Sequence, residues 1–217
     1  TSLMFSPSYR VTDNLNVYLR YAEGFRSGGY DGQASSAASA AVPYKSEELT
    51  AYEAGVKSRW LDDRLQLNLA AFYSDYTDMQ LTSFTGTVSA TLNAGKAKID
   101  GAELEAVALL TERLRASLGL AYLHYDFEKF DLGPIIGDVS DRARLNNAPR
   151  NSANLSLDYD FPNFGIGDLS LHLNYNYQAK AEAIAIKATG AAPNSGLSSR
   201  GLLDARLSLA NIALGER

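Results

Sequence analysis

The stretch LSLHLNYNYQA, residues 169–179, decides the fold class, because it alternates without a break between two kinds of side chain. Its odd positions, beginning with Leu169, are apolar or aromatic, and its even positions carry polar groups such as His172 and Asn174. Successive side chains of a strand point to opposite faces, so the pattern predicts a strand with one apolar wall and one hydrogen-bonding wall. The apolar wall changes from leucine to tyrosine, as a surface does when it passes from hydrocarbon into a lipid headgroup layer.

Length and composition narrow the class of protein. The chain has 217 residues, no cysteine and a formal net charge of −5, which exclude disulfide frameworks and thiolate metal sites and give no basic footprint for nucleic acid. No run of about 18 consecutive apolar residues occurs, so no transmembrane helix is predicted. A membrane protein without such a run is predicted to be a β-barrel, because only helices and closed barrels satisfy every backbone polar group in lipid.

The same alternation recurs along the chain and predicts about nine antiparallel strands. The predicted strands are 3–10, 15–22, 49–60, 65–75, 101–110, 114–122, 152–161, 169–179 and 203–210. Short connections at 11–14, 61–64, 111–113 and 162–168 alternate with long irregular ones at 23–48, 76–97, 126–149 and 180–199. Within the second long connection, MQLTSF (79–84) is also compatible with a strand that continues beyond the membrane.

This asymmetry between the two sets of connections predicts a transmembrane β-barrel. Outer-membrane barrels have short periplasmic turns and long extracellular loops, whereas a soluble sandwich has no reason to place every long loop on one edge. Strands such as 65–75 then run outward, with tyrosines such as Tyr73 in an outer aromatic girdle and Trp60 near the periplasmic rim.

Parts of the sequence also resemble the C-terminal half of TonB-dependent receptors. The matching stretches are YAEGFRSGGY (21–30), YKSEELTAYEAGVKSRWLDDRLQLNLAAFYSDYTDMQ (44–80) and NAGKAKIDGAELEA (93–106), with Ser46 standing where many relatives have proline. The resemblance implies an all-β, 22-stranded barrel whose lumen is closed by an N-terminal plug. Residues 1–217 are then expected to be part of the barrel domain, without the plug, the TonB box or the final strands, and to form an open sheet with two unpaired edges.

The resemblance also implies a function. It indicates an active transport receptor in the outer membrane of a Gram-negative cell, for a ferric siderophore in the first place, driven through the plug by the TonB protein. Expected partners are outer-membrane lipid and lipopolysaccharide, TonB, and a ferric chelate or other nutrient, with no cofactor and no nucleic acid. The alternatives are a passive porin and a receptor for cobalamin or a glycan. An enzyme is not predicted, since no G-x-S-x-G elbow occurs.

The first long connection holds the candidate substrate contacts. They are Arg26, Tyr30, Tyr44 and Lys45, whose cationic and aromatic groups suit an anionic ferric chelate.

The remaining titratable residues are predicted to belong to the wall. By alternation His172 faces the lumen and His124 faces outward near the girdle, and the alternative for the lone interior histidine is a role as a ligand. Glu103 and Glu105 face inward together with cationic residues, which favours charged lining or contact with a plug over acid/base or metal chemistry. Those cationic residues are Lys57, Arg59, Arg115 and Arg206. A patch of three acidic residues at a loop mouth is expected to be solvated surface, with calcium bridging to lipopolysaccharide as the alternative; it comprises Asp126, Glu128 and Asp131.

Overall fold

The computed structural model describes residues 2–34, 37–85, 88–131, 137–163, 165, 167–183 and 196–212. The strands are, in chain order, β1 (Met4–Phe5), β2 (Ser8–Thr12), β3 (Leu15–Arg26), β4 (Gly29–Tyr30), β5 (Pro43–Tyr44), β6 (Glu47–Trp60), β7 (Leu65–Thr85), β8 (Val88–Leu109), β9 (Leu114–Phe130), β10 (Asn151–Asp160), β11 (Asp168–Gln178), β12 (Ala181–Glu182), β13 (Gly196–Leu197) and β14 (Arg200–Ala210). Helical structure in the described residues consists of α1 (Ala37–Ala40) and a 3-10 turn (Ser140–Arg142). Neither is long and apolar enough to cross a membrane.

The main sheet is an antiparallel meander. Its order is β1-β3-β6-β7-β8-β9-β10-β11-β14, with β2 also paired to β3, while β4 pairs with β5 and β12 with β13 in two small ribbons. The first predicted strand is split into β1 and β2, because Pro7 has no N–H to give to a sheet ladder. In the described part of the chain β1 and β14 do not meet, so the sheet stays open, as the sequence predicts.

One face of the sheet is apolar and exposed. Leu69, Leu155 and Leu203 leave 52%, 42% and 71% of their surface accessible. Each of them adjoins a polar residue in its strand, namely Asn68, Asn154 and Asp204 respectively. A soluble sheet buries such a face, whereas a transmembrane barrel presents it to lipid. The predicted apolar-out pattern is therefore confirmed.

Aromatic residues mark the two ends of the apolar face. Tyr21, Tyr52 and Tyr73 lie side by side on three neighbouring strands, with ring centroids 5.3 and 6.4 Å apart. At the opposite end Trp60 donates its indole N–H to the Ser58 hydroxyl at 3.0 Å. Rings with one polar end suit the boundary between hydrocarbon and water. The predicted tyrosine row is present, and Trp60 lies at the end with the short turns.

The other face is a continuous hydrogen-bonded wall. Asn154 donates to Asn174 and Asn176 of the neighbouring strand at 2.8 and 2.7 Å. His172 Nδ1 lies 2.6 Å from Asp158 Oδ1, also across the β10–β11 pair. These polar groups thus find partners on an adjacent strand, and His172 acts as wall lining rather than as an isolated ligand.

Charged pairs continue the tyrosine row on the outward face. In the sheet register Tyr73 is opposite Asp100, which is opposite His124. His124 Nδ1 lies 2.9 Å from Asp100 Oδ1, and Lys98 pairs with Glu128 one step farther from the membrane. The outward position predicted for His124 is confirmed, and Glu128 belongs to an ion pair rather than to a bare acidic patch.

The second long connection is a paired ribbon, so its prediction as an irregular segment is wrong. The ladder between β7 and β8 runs on from Tyr76 to Thr85, with register shifts between Tyr76 and Gln80. Asp78 and Gly95 adopt positive φ values of 53° and 131°, which accommodate the extra residues as bulges. The turn-like residues mark bulges rather than a loop, and MQLTSF does prolong β7.

The first and third long connections are shorter than predicted, because the strands beside them extend farther. β3 continues to Arg26, β6 starts at Glu47 and β9 continues to Phe130. All long connections still join the strands at one end, and all short connections join them at the other end. The end of the strands that carries the long connections is called the outer edge below.

Candidate functional site

The four predicted contact residues gather at the base of the first connection, residues 27–46. Arg26 ends β3, Tyr30 ends β4, Tyr44 ends β5, and Lys45 follows it. Pairing of β4 with β5 places the two tyrosines on adjacent strands. Tyr30 is 64% exposed, whereas Tyr44 is half-buried. The structure thus brings these residues to one place on the outer edge.

A buried glutamine closes this base. Gln80, on the extension of β7, is 6% exposed, and its side-chain Nε2 donates to the carbonyls of Arg26, Ser27 and Lys45 at 3.3, 3.0 and 3.0 Å. An amide NH₂ carries two hydrogens, so one of them is shared between two of these carbonyls. The Gln80 backbone N–H also donates to Glu47 Oε2 at 2.7 Å. Gln80 therefore ties the start and the end of the first connection to one strand.

Two further side chains fasten the connection to β8. Asn93 accepts from the Lys45 N–H at 2.6 Å and donates to the carbonyls of Lys45 and Asp78 at 3.0 and 2.7 Å. Asp31 Oδ2 accepts from the Thr91 N–H at 2.8 Å. We call Gln80, Asn93 and Asp31 the first-loop clasp. It holds the candidate contacts against the β7–β8 ribbon.

Sequence reasoning did not single out the clasp. Gln80 and Asn93 nevertheless stand inside the stretches that carry the family resemblance, YSDYTDMQ and NAGKA. The resemblance of those stretches to the family was the feature of the sequence that could have pointed to these two residues. Asp31 lies outside these stretches and carried no comparable signal.

The third connection has a small apolar core of its own. Phe130 and Val139 are 1% and 0% exposed, and the Val139 N–H donates to the Phe130 carbonyl at 2.8 Å. The rings of Phe127 and Phe130 meet edge to face with centroids 5.4 Å apart. Ala97 of β8 and Ala143 complete the cluster. Val139 and Ala143 thus pack this part of the connection over the outer ends of β8 and β9.

A carboxylate stabilises the turn inside this connection. Asp138 Oδ1 accepts from the backbone N–H groups of Ser140 and Phe130 at 2.9 and 3.3 Å. The hydrogen bonds from Ser140 hold the pKa of Asp138 below its ordinary 3.8. A lowered pKa stabilises the fold above pH 3.8, and this contribution disappears as the pH falls through the lowered value.

A groove of about 400 Å³ lies between the third and fourth connections. Its lining includes Arg144, Arg150, Lys180, Tyr125 and Glu182. The two connections are joined beside it, since the Asn147 N–H donates to the Glu182 carbonyl at 2.8 Å. This outer groove was not among the predicted sites.

The comparison with protein families identifies the fold. A sequence model described as "TonB dependent receptor-like, beta-barrel" matches residues 4–215, which is nearly the whole chain. The chain belongs to the TonB-dependent receptor β-barrel family. The fold class and the family predicted from the sequence are thereby confirmed.

Two curated relatives show how much of a receptor the chain spans. The pesticin receptor of Yersinia pestis is 39% identical over 101 residues, which cover 46% of this chain and 15% of that protein. The metal-pseudopaline receptor CntO of Pseudomonas aeruginosa is 29% identical over 153 residues, covering 70% of this chain and 20% of that protein. The chain thus spans about a fifth or less of the length of these relatives.

Solved structures agree with the fold. The ferric yersiniabactin uptake receptor FyuA of Yersinia pestis superposes with a TM-score of 0.72 at 23% identity, over 95% of this chain and 29% of that chain. The copper transporter OprC gives a TM-score of 0.73 at 19% identity, over 97% of this chain and 31% of that chain. At such identities the likeness supports the architecture alone.

In the TonB-dependent receptor barrel the backbone at Tyr44 and Ser46 approaches Gly28 closely. Adding a single methyl group at Gly28 tests this contact. A Cβ on Gly28 would lie 2.5 Å from the Tyr44 carbonyl oxygen and 2.9 Å from the Ser46 nitrogen, both backbone atoms. We expect Gly28→Ala to push β5 away and destabilise the first connection by about 1–2 kcal/mol. Limited proteolysis of the full-length receptor in detergent measures this as faster cleavage within residues 27–46.

Gly32→Ala is the matched control for this change. Gly32 lies in the same connection, but an added Cβ there meets nothing within 4 Å. We expect it to be cleaved like the wild type. Equal cleavage of the two variants would contradict the tight approach at Gly28.

Proposed function

We propose that this chain is part of an outer-membrane receptor that actively imports a metal chelate, in the first place a ferric siderophore. The observation that carries the proposal is the match of residues 4–215 to the TonB-dependent receptor barrel. Relatives named as a metal-pseudopaline receptor and as a probable TonB-dependent siderophore receptor support the substrate class. The location that goes with it is the outer membrane of a Gram-negative cell.

The proposed mechanism divides the work between parts of the full-length protein. The barrel wall described above would cross the membrane, with its apolar face to lipid and lipopolysaccharide. Ligand would bind at the outer edge, and energy delivered by TonB to a plug domain would open the lumen. No covalent chemistry is proposed for any residue of this chain, and no cofactor is needed.

Arg26, Tyr30, Tyr44 and Lys45 remain our proposed ligand contacts at the first connection. Their support is position: all four stand at the outer edge, and the first-loop clasp fixes the backbone that carries them. Guanidinium, ammonium and phenol groups suit the negative oxygen atoms and flat rings of ferric chelates.

The proposal predicts energy-dependent accumulation of the chelate. A strain that lacks the gene for the full-length protein is expected to take up at least about tenfold less radioactive iron from its cognate chelate than the complemented strain. Uptake by the complemented strain should stop when TonB is absent, because the proposed transport needs the energy that TonB delivers. A panel of ferric siderophores, cobalamin and oligosaccharides identifies the substrate.

The outcomes separate the alternatives. Uptake that persists without TonB and only equilibrates across the membrane would indicate a passive porin. Uptake of cobalamin or a glycan, but not of iron chelates, would show that one of these compounds is the substrate instead of a ferric siderophore. Arg26→Ala is expected to raise the KM for uptake, whereas Arg10→Ala, on β2 at the opposite edge, should not.

A further inference from the structure

Three neighbouring strands bring polar and cationic side chains to one spot on the outer edge. Tyr125 lies on β9, Arg150 directly precedes β10, and Lys180 follows β11 by two residues. The strands pair in the order β9-β10-β11, and adjacent strands lie about 4.8 Å apart. The side chains of Tyr125, Arg150 and Lys180 all line the outer groove.

A second arginine reaches the same groove from the third connection. Arg144 Nη1 donates to the carbonyls of Asp141 and Ala143 at 3.0 and 2.6 Å. Ala143 is 1% exposed in the small core under that connection. The guanidinium is thus held by a packed segment. A group that is already ordered loses little conformational entropy when a ligand binds to it.

The charges of the outer groove are unbalanced. Arg144, Arg150 and Lys180 all line it, and Glu182 is the only acidic residue among its described lining residues. None of the three cations forms an ion pair with a carboxylate that the structure describes. Like charges brought together repel one another, so an anion that enters the groove relieves this repulsion.

We propose that the outer groove binds a small multivalent oxyanion, namely the polycarboxylate part of a metal chelate. Two arginines offer paired N–H donors that match carboxylate geometry, and the lysine adds a point charge. The half-buried ring of Tyr125 offers a face for the flat part of a ligand. The volume of about 400 Å³ accommodates a small molecule rather than a chain segment.

The identity of the natural ligand rests on the proposed transport function, but the chemistry of the groove can be tested by itself. Citrate, a trianion, and ferric citrate are titrated into the full-length receptor in detergent by calorimetry. We expect both to bind with an affinity that falls as salt is added, since salt screens exposed charges. The double variant Arg150→Gln/Lys180→Gln is expected to bind about tenfold or more weakly. Arg144 is left intact because it also holds its own loop.

Matched variants make the test specific. Lys129→Gln removes an exposed cation at the outer end of β9 that does not line the groove, and it should bind citrate like the wild type. Arg150→Lys/Lys180→Arg keeps the charges and should retain most of the affinity, which shows that loss in the glutamine variant is not misfolding.

The results also separate this proposal from the transport function. Equal citrate affinity in the wild type and the glutamine variant, or no salt-sensitive binding by the wild type, would overturn the anion site. Salt-sensitive binding that the glutamine variant loses supports the groove even if the cells fail to accumulate any iron chelate. The glutamine variant could instead accumulate iron and bind citrate like the wild type. That result would overturn the anion site in the outer groove and leave the proposed transport function standing.

Discussion

Replacing Gln80 with leucine is expected to release both ends of the first connection. The carbonyls of Arg26, Ser27 and Lys45 would lose the buried amide that now donates to them. The Lys45 carbonyl keeps the Asn93 amide as a donor, whereas the other two carbonyls lose a partly buried hydrogen bond each. At about 0.5–1.5 kcal/mol per hydrogen bond, we expect the connection to open more easily by about 2 kcal/mol. That corresponds to roughly 30-fold faster hydrogen exchange of the protected amides in residues 27–46. Hydrogen exchange of the full-length receptor in detergent measures this.

Gln66→Leu is the matched control for this prediction. Gln66 lies on the same strand, but it is exposed and lies on the membrane-spanning part of β7, far along the strand from the clasp. The same chemical change there should leave exchange in the first connection unaltered. If Gln80→Leu and Gln66→Leu gave the same exchange pattern, the clasp would not hold the connection.

The strands and their two faces could be predicted from the sequence because both follow from local backbone geometry. Side chains alternate in any extended strand, so Asn68 and Leu69 must point to opposite sides wherever the strand lies. The structure places Leu69 on the exposed apolar face and Asn68 within 3.4 Å of Glu105 on the polar face. The register of Tyr52 opposite Tyr73 follows in the same way from the short turn at 61–64, whereas Tyr21 is brought opposite Tyr52 across the long first connection.

The second connection shows where composition misleads. Glycine, threonine and asparagine are typical of loops, but the same residues occur at bulges, where a strand absorbs an extra residue. Asp78 and Gly95 do this with positive φ, while the ladder continues on both sides. The alternative hypothesis, that MQLTSF prolongs the strand, was the better guide, because the ladder pairs Met79 to Phe84 with β8.

The clasp and the outer groove depend on contacts that periodicity does not encode. Asp31 and Thr91 are separated by 60 positions, and Lys45 and Asn93 by 48. Arg144 reaches the groove through a loop whose course is set by packing around Phe130 rather than by any repeat. Strand periodicity predicts which strands end at the outer edge, but the packing of the connections above them decides which side chains meet.

The last prediction follows from the assignment of the apolar face to lipid: a charged side chain on that face should destabilise the barrel. Leu69 lies midway between Leu65, at the short-turn end of β7, and Tyr73 in the tyrosine row, so it belongs at the centre of the bilayer. An arginine near the midplane of a barrel's lipid face costs about 2–4 kcal/mol. We therefore expect Leu69→Arg to lower the free energy of unfolding of the full-length protein by that amount. Urea titration in lipid bilayers, followed by gel mobility of the folded barrel, measures it.

Asn68→Arg tests the direction of the faces with the same new side chain one residue away. On the polar wall the guanidinium would stand in the strand register between Lys57 and Glu105, where water and a carboxylate can solvate it. We expect a change of less than about 1 kcal/mol there, since an exposed ion pair contributes little. Equal destabilisation by the two arginines would contradict a lipid-facing apolar wall. A larger loss for Asn68→Arg would mean that the faces are reversed, and the polar wall could then not line the lumen.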